Sequence, residues 1–226
     1  MKIVKVKLSF SNAYLLQDTK TILVDTGMPG EEQKILKAAA QAGIDAGDIT
    51  LILHTHGHVD HAGSTAALVK ILGVPAAVHR ADETMMRSGR MNPLKPLRLE
   101  ARMIKPIVEK PFPPVMPDLF VDESTDLSPF GIQGRILLTP GHTAGSISVL
   151  LPIGEAIVGD VMMGGYIGGN LLGSSPNYHY FADDLAAVRA SIKKIMVNKP
   201  HTLYVGHGGP LSLQAVTQRF SRELPM

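Results

Sequence analysis

The chain has 226 residues, a formal net charge of +2, 45% apolar and 19% charged residues, and no cysteine. That composition suits a packed domain and excludes a disordered or fibrous chain, while the missing thiols exclude disulfides, cysteine nucleophiles, zinc ribbons and iron–sulfur clusters. No apolar run reaches the roughly 18 residues of a membrane span, the N-terminal segment alternates in polarity rather than forming a leader, and the charge is too slight for a nucleic-acid partner. The expectation is a cytoplasmic protein of one domain over 1–226 that acts on a small molecule, with neither nucleic acid nor membrane as partner and with a homodimer left open.

In chain order, residues 3–10 and 13–16 alternate as short strands, and 21–25 is an apolar strand stopped by Thr26 and Gly27. Residues 31–42 have helical composition, with Ile35, Leu36 and Ala39 on one stripe and Gly43 as a stop. A short buried strand at 50–53 runs straight into a histidine-dense loop. A helix over 62–72, ended by Gly73, leads to a strand at 76–79. The middle differs: residues 85–117 hold seven prolines and five methionines. Within it 97–108 reads as a short amphipathic helix carrying Leu97, Ala101, Ile104 and Val108 on one face, disturbed by Pro106. Strands resume at 134–139, 146–151 and 155–159, and the glycine-, asparagine- and serine-rich stretch 162–181 reads as a surface loop. A helix over 182–196 with Asp183 and Asp184 in its first turn, a strand at 202–205 and a helix over 211–222 complete the chain. The order suggests two similar halves, each of several strands followed by helix and strand, which favours two packed sheets with helices outside.

Residues 55–63 read THGHVDHAG, three histidines and an aspartate directly after an apolar strand. In extended chain, side chains two apart share a face, so His56, His58 and Asp60 point together and His61 points elsewhere. One segment thus offers two histidines to one metal and a carboxylate plus a histidine to a second. Imidazole and carboxylate suit zinc, with iron or manganese as alternatives. Four ligands cannot complete two sites. Polar residues ending apolar strands beside glycine supply the candidates: His142 in TPGHTAGS, Asp160 in VGD and His207 in VGHGG, with Asp25 of VDTG in the same setting. Strand-end ligands converge on one rim of a sheet sandwich. His54, His79 and His201 lack that setting and read as packing or turn residues; His179, in NYHYF, is at most a substrate contact.

VDTG, THGHVDH, PGHTAGS, VGD and VGHG, in this order, resemble the five motifs of the metallo-β-lactamase-fold hydrolases over about residues 21–208. The resemblance implies an α/β fold, an αββα sandwich with two divalent metal ions at the sheet edge. It implies His56, His58 and His142 on one ion, Asp60, His61 and His207 on the other, Asp160 bridging them, and Asp25 orienting a ligand histidine. The full ligand set without a cysteine at Asp160 argues against antibiotic hydrolysis and is shared with glyoxalase-II-like thioesterases. The expected reaction is attack of a two-metal-bound hydroxide on an ester or thioester, with Asp60 or Asp160 relaying a proton. Lactonases, which usually carry tyrosine where Met163 stands, and mononuclear-iron persulfide dioxygenases are the alternatives. A net positive site, together with a net +5 between Arg87 and Lys110, leads to an expected anionic substrate and a lid or subunit-interface role for an inserted segment at about 85–130.

Overall fold

The computed structural model describes residues 1–224; of the expected span 1–226, Pro225 and Met226 lie outside the described residues. Lys2–Lys7 (β1), Asn12–Gln17 (β2) and Thr21–Val24 (β3) form an antiparallel meander, and Ile49–Leu53 (β4), Ala76–Val78 (β5) and Leu119–Phe120 (β6) extend it in parallel, in the order β1-β2-β3-β4-β5-β6. The chain then repeats the theme. Arg135–Leu138 (β7), Ile147–Leu150 (β8) and Glu155–Gly159 (β9) form a second antiparallel meander, whose last strand pairs in parallel with Thr202–Val205 (β12). Leu211–Ser212 (β13) closes that sheet on the far side of β12.

The central strands are apolar on both faces because both faces are covered. On β2 and β3, Tyr14, Leu16, Ile22 and Val24 point inward, where they meet Ile136, Ile147, Val149 and Ile157 of the second sheet. The alternate residues Ala13, Leu15 and Leu23 point outward onto Glu32–Gln41 (α1) and its neighbour Thr65–Leu72 (α3) through Ile35, Ala39 and Leu68. On the second sheet, Ala156, Val158, Leu203 and Val205 face Leu185–Val197 (α6) and Leu213–Phe220 (α7). The result is the expected αββα layering.

Helix α6 shows why these helices start where they do. Asp184 caps it by accepting from the backbone N–H of Ala186 and Ala187, and Val188, Ile192, Ile195 and Met196 then recur on one buried face. Helix α7 starts at Ser212, whose hydroxyl accepts from Ala215 N. The sheets are also tied by polar contacts beside the ligand-bearing rim: Tyr14 Oη and Asn12 Nδ2 both donate to Val205 O, at 2.6 and 2.9 Å.

Two local expectations are corrected. Helix formation after β4 begins earlier than residue 62, with a single turn Val59–Ala62 (α2) separate from α3. The stretch 162–181 is no loop: Met163–Tyr166 (β10) and Leu171–Asn177 (β11) pair as an antiparallel hairpin. Its glycines mark close backbone approach rather than irregular chain. A Cβ on Gly164 would lie 1.9 Å from Gly173 O, so only glycine lets these two strands meet there. In the middle segment, Glu83–Ser88 (α4) and Leu99–Val108 (α5) precede β6, and Val121 and Leu127 beyond it are buried between the sheets. No helix among the described residues is long and apolar enough to cross a membrane.

Candidate metal centre

Every strand-end residue singled out from the sequence reaches one rim. Asp25 follows β3, the 55–61 segment follows β4, His142 follows β7, Asp160 follows β9 and His207 follows β12. The alternation expected through 56–60 holds only as far as His58, which is extended at φ −79° and ψ 155°. The α2 turn then carries Asp60 and His61 to a second group. Ligand atoms within 4.8 Å of one another form the groups His56–His58–His142 and Asp60–His61–His207, while Asp160 groups with His56 and His61 and again with His142 and His179.

The rings are aimed by what holds their other nitrogen, the support that metal-binding histidines generally need. His142 Nδ1 lies 2.9 Å from Phe181 O and His207 Nδ1 lies 2.7 Å from Phe10 O, so each donates to a carbonyl and frees Nε2. His61 Nδ1 lies 2.8 Å from Asp25 Oδ2. Asp25 also accepts from Thr55 N and Thr55 Oγ1, and Thr55 Oγ1 in turn lies 3.0 Å from His56 Nδ1. The left-handed backbone of Asp25, φ 62°, is one that aspartate tolerates better than most residues, and it sits at the turn that brings this carboxylate to both strands' ends.

Three buried atoms of the cluster have no hydrogen-bond partner: His56 Nε2, His61 Nε2 and Asp160 Oδ1. Buried polar atoms left unpaired are costly, and nitrogen and oxygen donors converging in this way fit divalent cations such as zinc or iron. The electrostatics agree. Burial holds His56, His58 and His142 neutral, lowering His58 to about 4 and His142 to about 3, the state a ligand needs. Burial would also lower His61 and His207, but Asp160 and Asp60 outweigh it, raising His61 and taking His207 to about 10. Burial likewise opposes ionisation of Asp60 and Asp160, yet the adjacent His61 and His207 hold both carboxyls below the usual range. Protons on His61 and His207 thus supply the positive charge that buried Asp160 and half-buried Asp60 require, and a divalent ion supplies the same charge while displacing them.

Two further residues join the site: His179, read from the sequence as at most a substrate contact, and Asp82, which the sequence did not single out. His179 lies between β11 and α6, with Nε2 3.4 Å from Asp160 Oδ2 and its ring centroid 4.5 Å from that of His142. It also ends a strand, but a strand that the glycine-rich composition conceals. Asp82 is buried and accepts from Gly57 N, Thr143 Oγ1 and Gly145 N at 2.8–2.9 Å, so it clamps the His56–His58 loop to the His142 loop. Its position soon after β5 follows the same strand-end rule. His54 packs as expected, its Nε2 3.1 Å from Thr65 Oγ1, and His201, in the turn before β12, bonds to Thr202 Oγ1 beside it and to Ile153 O of the β8–β9 turn.

A cavity of about 550 Å³ reaches His58, Asp60, Asp160, His179 and His207. As a lid, the 87–110 segment would turn its basic residues to this cavity, and none of them lines it. Helical phase is the reason: Lys105 turns to Glu109 and Arg98 to Glu100, each at 3.9 Å, and Arg102 is exposed. The case for an anionic substrate from that segment therefore fails.

The family model of the metallo-beta-lactamase superfamily matches residues 6–207. A probable metallo-hydrolase of Bacillus subtilis (strain 168), YflN, is 26% identical over 221 residues, covering 89% of this chain and 82% of that protein. A hydroxyacylglutathione hydrolase of Anaeromyxobacter dehalogenans (strain 2CP-C) is 28% identical over 134 residues, which is 59% of this chain and 40% of that one. Among solved structures, TTHA1623 in a di-iron-bound form matches with a TM-score of 0.69 at 27% identity, covering 100% of this chain and 99% of that chain.

Proposed function

The chain belongs to the metallo-beta-lactamase superfamily, and from that membership we propose that it is a two-metal hydrolase of carboxylic esters or thioesters. One observation carries the reading: two three-donor groups lie side by side with Asp160 Oδ2 between them, 3.5 Å from His142 Nε2 and 3.1 Å from His207 Nε2. In this reading His56, His58 and His142 hold one ion, Asp60, His61 and His207 hold the other, and Asp160 is shared. Zinc is the expected metal; the di-iron form of the solved relative makes iron the alternative to test. Ions so placed supply Lewis acidity, polarising a carbonyl and lowering the pKa of water from about 15.7 toward 7.

The protein's own groups divide the remaining work. Asp160 borders the cavity too, but only 2% of its side chain is exposed among the histidines, so it serves as fixed negative charge. Asp60 has 22% exposed and lines the cavity, so it is the carboxylate placed to pass a proton to a departing alkoxide or thiolate. His179 Nε2 borders the same space and can donate a hydrogen bond to substrate. The partial match to a hydroxyacylglutathione hydrolase supports a thioester among the substrates. A small-molecule substrate and a cytoplasmic setting belong to the same proposal.

The test is elemental analysis of protein purified without added metal, joined to a panel of ester, thioester, lactone and phosphoester substrates. We expect close to two zinc or iron per chain and cleavage of carboxylic esters or thioesters. One iron per chain with oxygen uptake on a persulfide, or an inert panel with both ions bound, rejects the reading.

A further inference from the structure

Resting on that hydrolase reading, we infer that the acyl group of the substrate is an uncharged apolar chain, held between α5 and the β10–β11 hairpin. On the α5 side the cavity is lined by Met91, Leu94, Ile104 and Val108, and on the hairpin side by Met163 and Ile167. Apart from Asp60, Asp160 and the histidines, the charged side chain on its wall is Glu100, and no lysine or arginine lines it.

The packing of α5 points the same way. Ala101 is fully buried against Leu94 and Phe181, but Ile104 and Val108 are only half-buried. Their remaining surface is turned to the cavity, so apolar area stays in contact with solvent that a hydrocarbon chain would displace. Methionines at Met91 and Met163 give that wall polarizable, unbranched side chains that adapt to chains of different length.

A carboxylate or phosphate on the acyl group would lose its hydration without meeting a cation, and would approach Glu100. S-Lactoylglutathione, whose acyl group is short and carries a hydroxyl, gains little from this wall and is a poorer substrate than esters of longer unsubstituted acids. Chemically the step is ordinary hydrolysis: water adds to the acyl carbon, the bond to the leaving oxygen or sulfur breaks, and the products are a fatty carboxylate and an alcohol or thiol.

The experiment measures kcat/KM of the metal-loaded enzyme on p-nitrophenyl acetate, butanoate, hexanoate and octanoate and on S-lactoylglutathione, with calorimetric binding of 2-decanone, a neutral ketone that cannot be hydrolysed. We expect kcat/KM to rise by about two- to four-fold per added methylene, the ratio that hydrocarbon burial gives. 2-Decanone should bind more tightly than 2-hexanone, and lactoylglutathione should be the weakest substrate. Ile104→Asp should cut octanoate turnover about ten-fold more than acetate turnover. Ile104→Ser does so more gently if the aspartate variant folds poorly, and Arg102→Glu, on the outside of the same helix, leaves the profile unchanged. A flat profile with acetate cleaved, or a preference for lactoylglutathione, overturns the apolar-chain inference while the hydrolase stands. Ketone binding that strengthens with length on an enzyme that cleaves no ester upholds the pocket and overturns the hydrolase.

Discussion

Asp25 does three things with one carboxylate: it accepts from Thr55 N, from Thr55 Oγ1 and from His61 Nδ1. In Asp25→Asn one of those oxygens becomes an NH₂ that can only donate, so either Thr55 or His61 loses its acceptor. The proposed Asp60–His61–His207 ion should weaken by about 10–100-fold while the ion on His56, His58 and His142 is kept, as chelator titration followed by elemental analysis would read. A thermal stability loss with unchanged affinity for both ions would reduce Asp25 to a turn residue. Asp82→Ala makes a contrasting case. It removes the acceptor of three buried donors, Gly57 N, Gly145 N and Thr143 Oγ1. Its urea midpoint should fall by the equivalent of roughly 2–4 kcal/mol, and the two histidine loops should lose their mutual alignment and with it most activity. The seven ligand candidates could be read from the sequence because four cluster directly after an apolar strand and His142, Asp160 and His207 each end one beside a glycine. Asp82 and His179 also follow strands, but without a neighbouring glycine: three residues separate Asp82 from its strand, and the strand before His179 is written in glycine, serine and proline.

Among the elements, α1 owes its anchorage to Glu31 immediately before it. The buried carboxylate accepts from Ser9 N, Ser9 Oγ and Met28 N, and Lys34 Nζ donates to it at 2.9 Å. Burial alone would raise its pKa, but these donors, Lys34 and Ser9 foremost, hold it below its ordinary value of 4.5. A lowered carboxyl contributes stability that is complete above the unfolded pKa and is lost as the pH falls through the folded one. Wild type should therefore exceed Glu31→Gln in chemical stability at pH 7, and the gap should close as the pH is taken below about 4.3. A gap that is constant with pH would assign the effect to shape rather than charge. Element boundaries were legible where capping and periodicity coincide, as at Gly73; at α6 the start was read at 182, with Asp184 in the first turn, whereas Asp184 is the cap before Leu185. Boundaries were not legible at α2, where a single helical turn is too short to show a period, nor in the hairpin, where backbone proximity selects glycine and erases the β-pattern.

For the molecule as a whole, the two-layer plan was legible because the order of elements repeats in two halves, each of several strands followed by helix and strand, and because the five motifs resemble those of a fold with that layering. What could not be read was the direction of the charge between Arg87 and Lys110, since composition does not fix helical phase against a cavity. With those groups outside the cavity, Arg98→Glu/Arg102→Glu should change kcat/KM on an anionic ester by less than about two-fold at both 0.1 and 1 M salt, over which the screening length falls from about 10 to 3 Å. A loss at 0.1 M that disappears at 1 M would return the basic residues to a steering role.

The repeated plan of the two sheets has a mechanical consequence. Each proposed ion draws ligands from both: His56 and His58 from the first with His142 from the second, and Asp60 and His61 from the first with His207 from the second. Each ion is then a detachable rivet through the seam, fastening residues that lie more than 80 positions apart in the chain. A ligand present at 100 times its dissociation constant adds about 2.7 kcal/mol to the folded state. Chelation should accordingly lower the melting temperature in two steps. Asp160→Asn, which loosens the point where the two rivets share a plate, should merge those steps into one. Should the chelated protein melt as late as the metal-loaded one, the sheets are held by their apolar core and by hydrogen bonds such as those of Tyr14 and Asn12 to Val205.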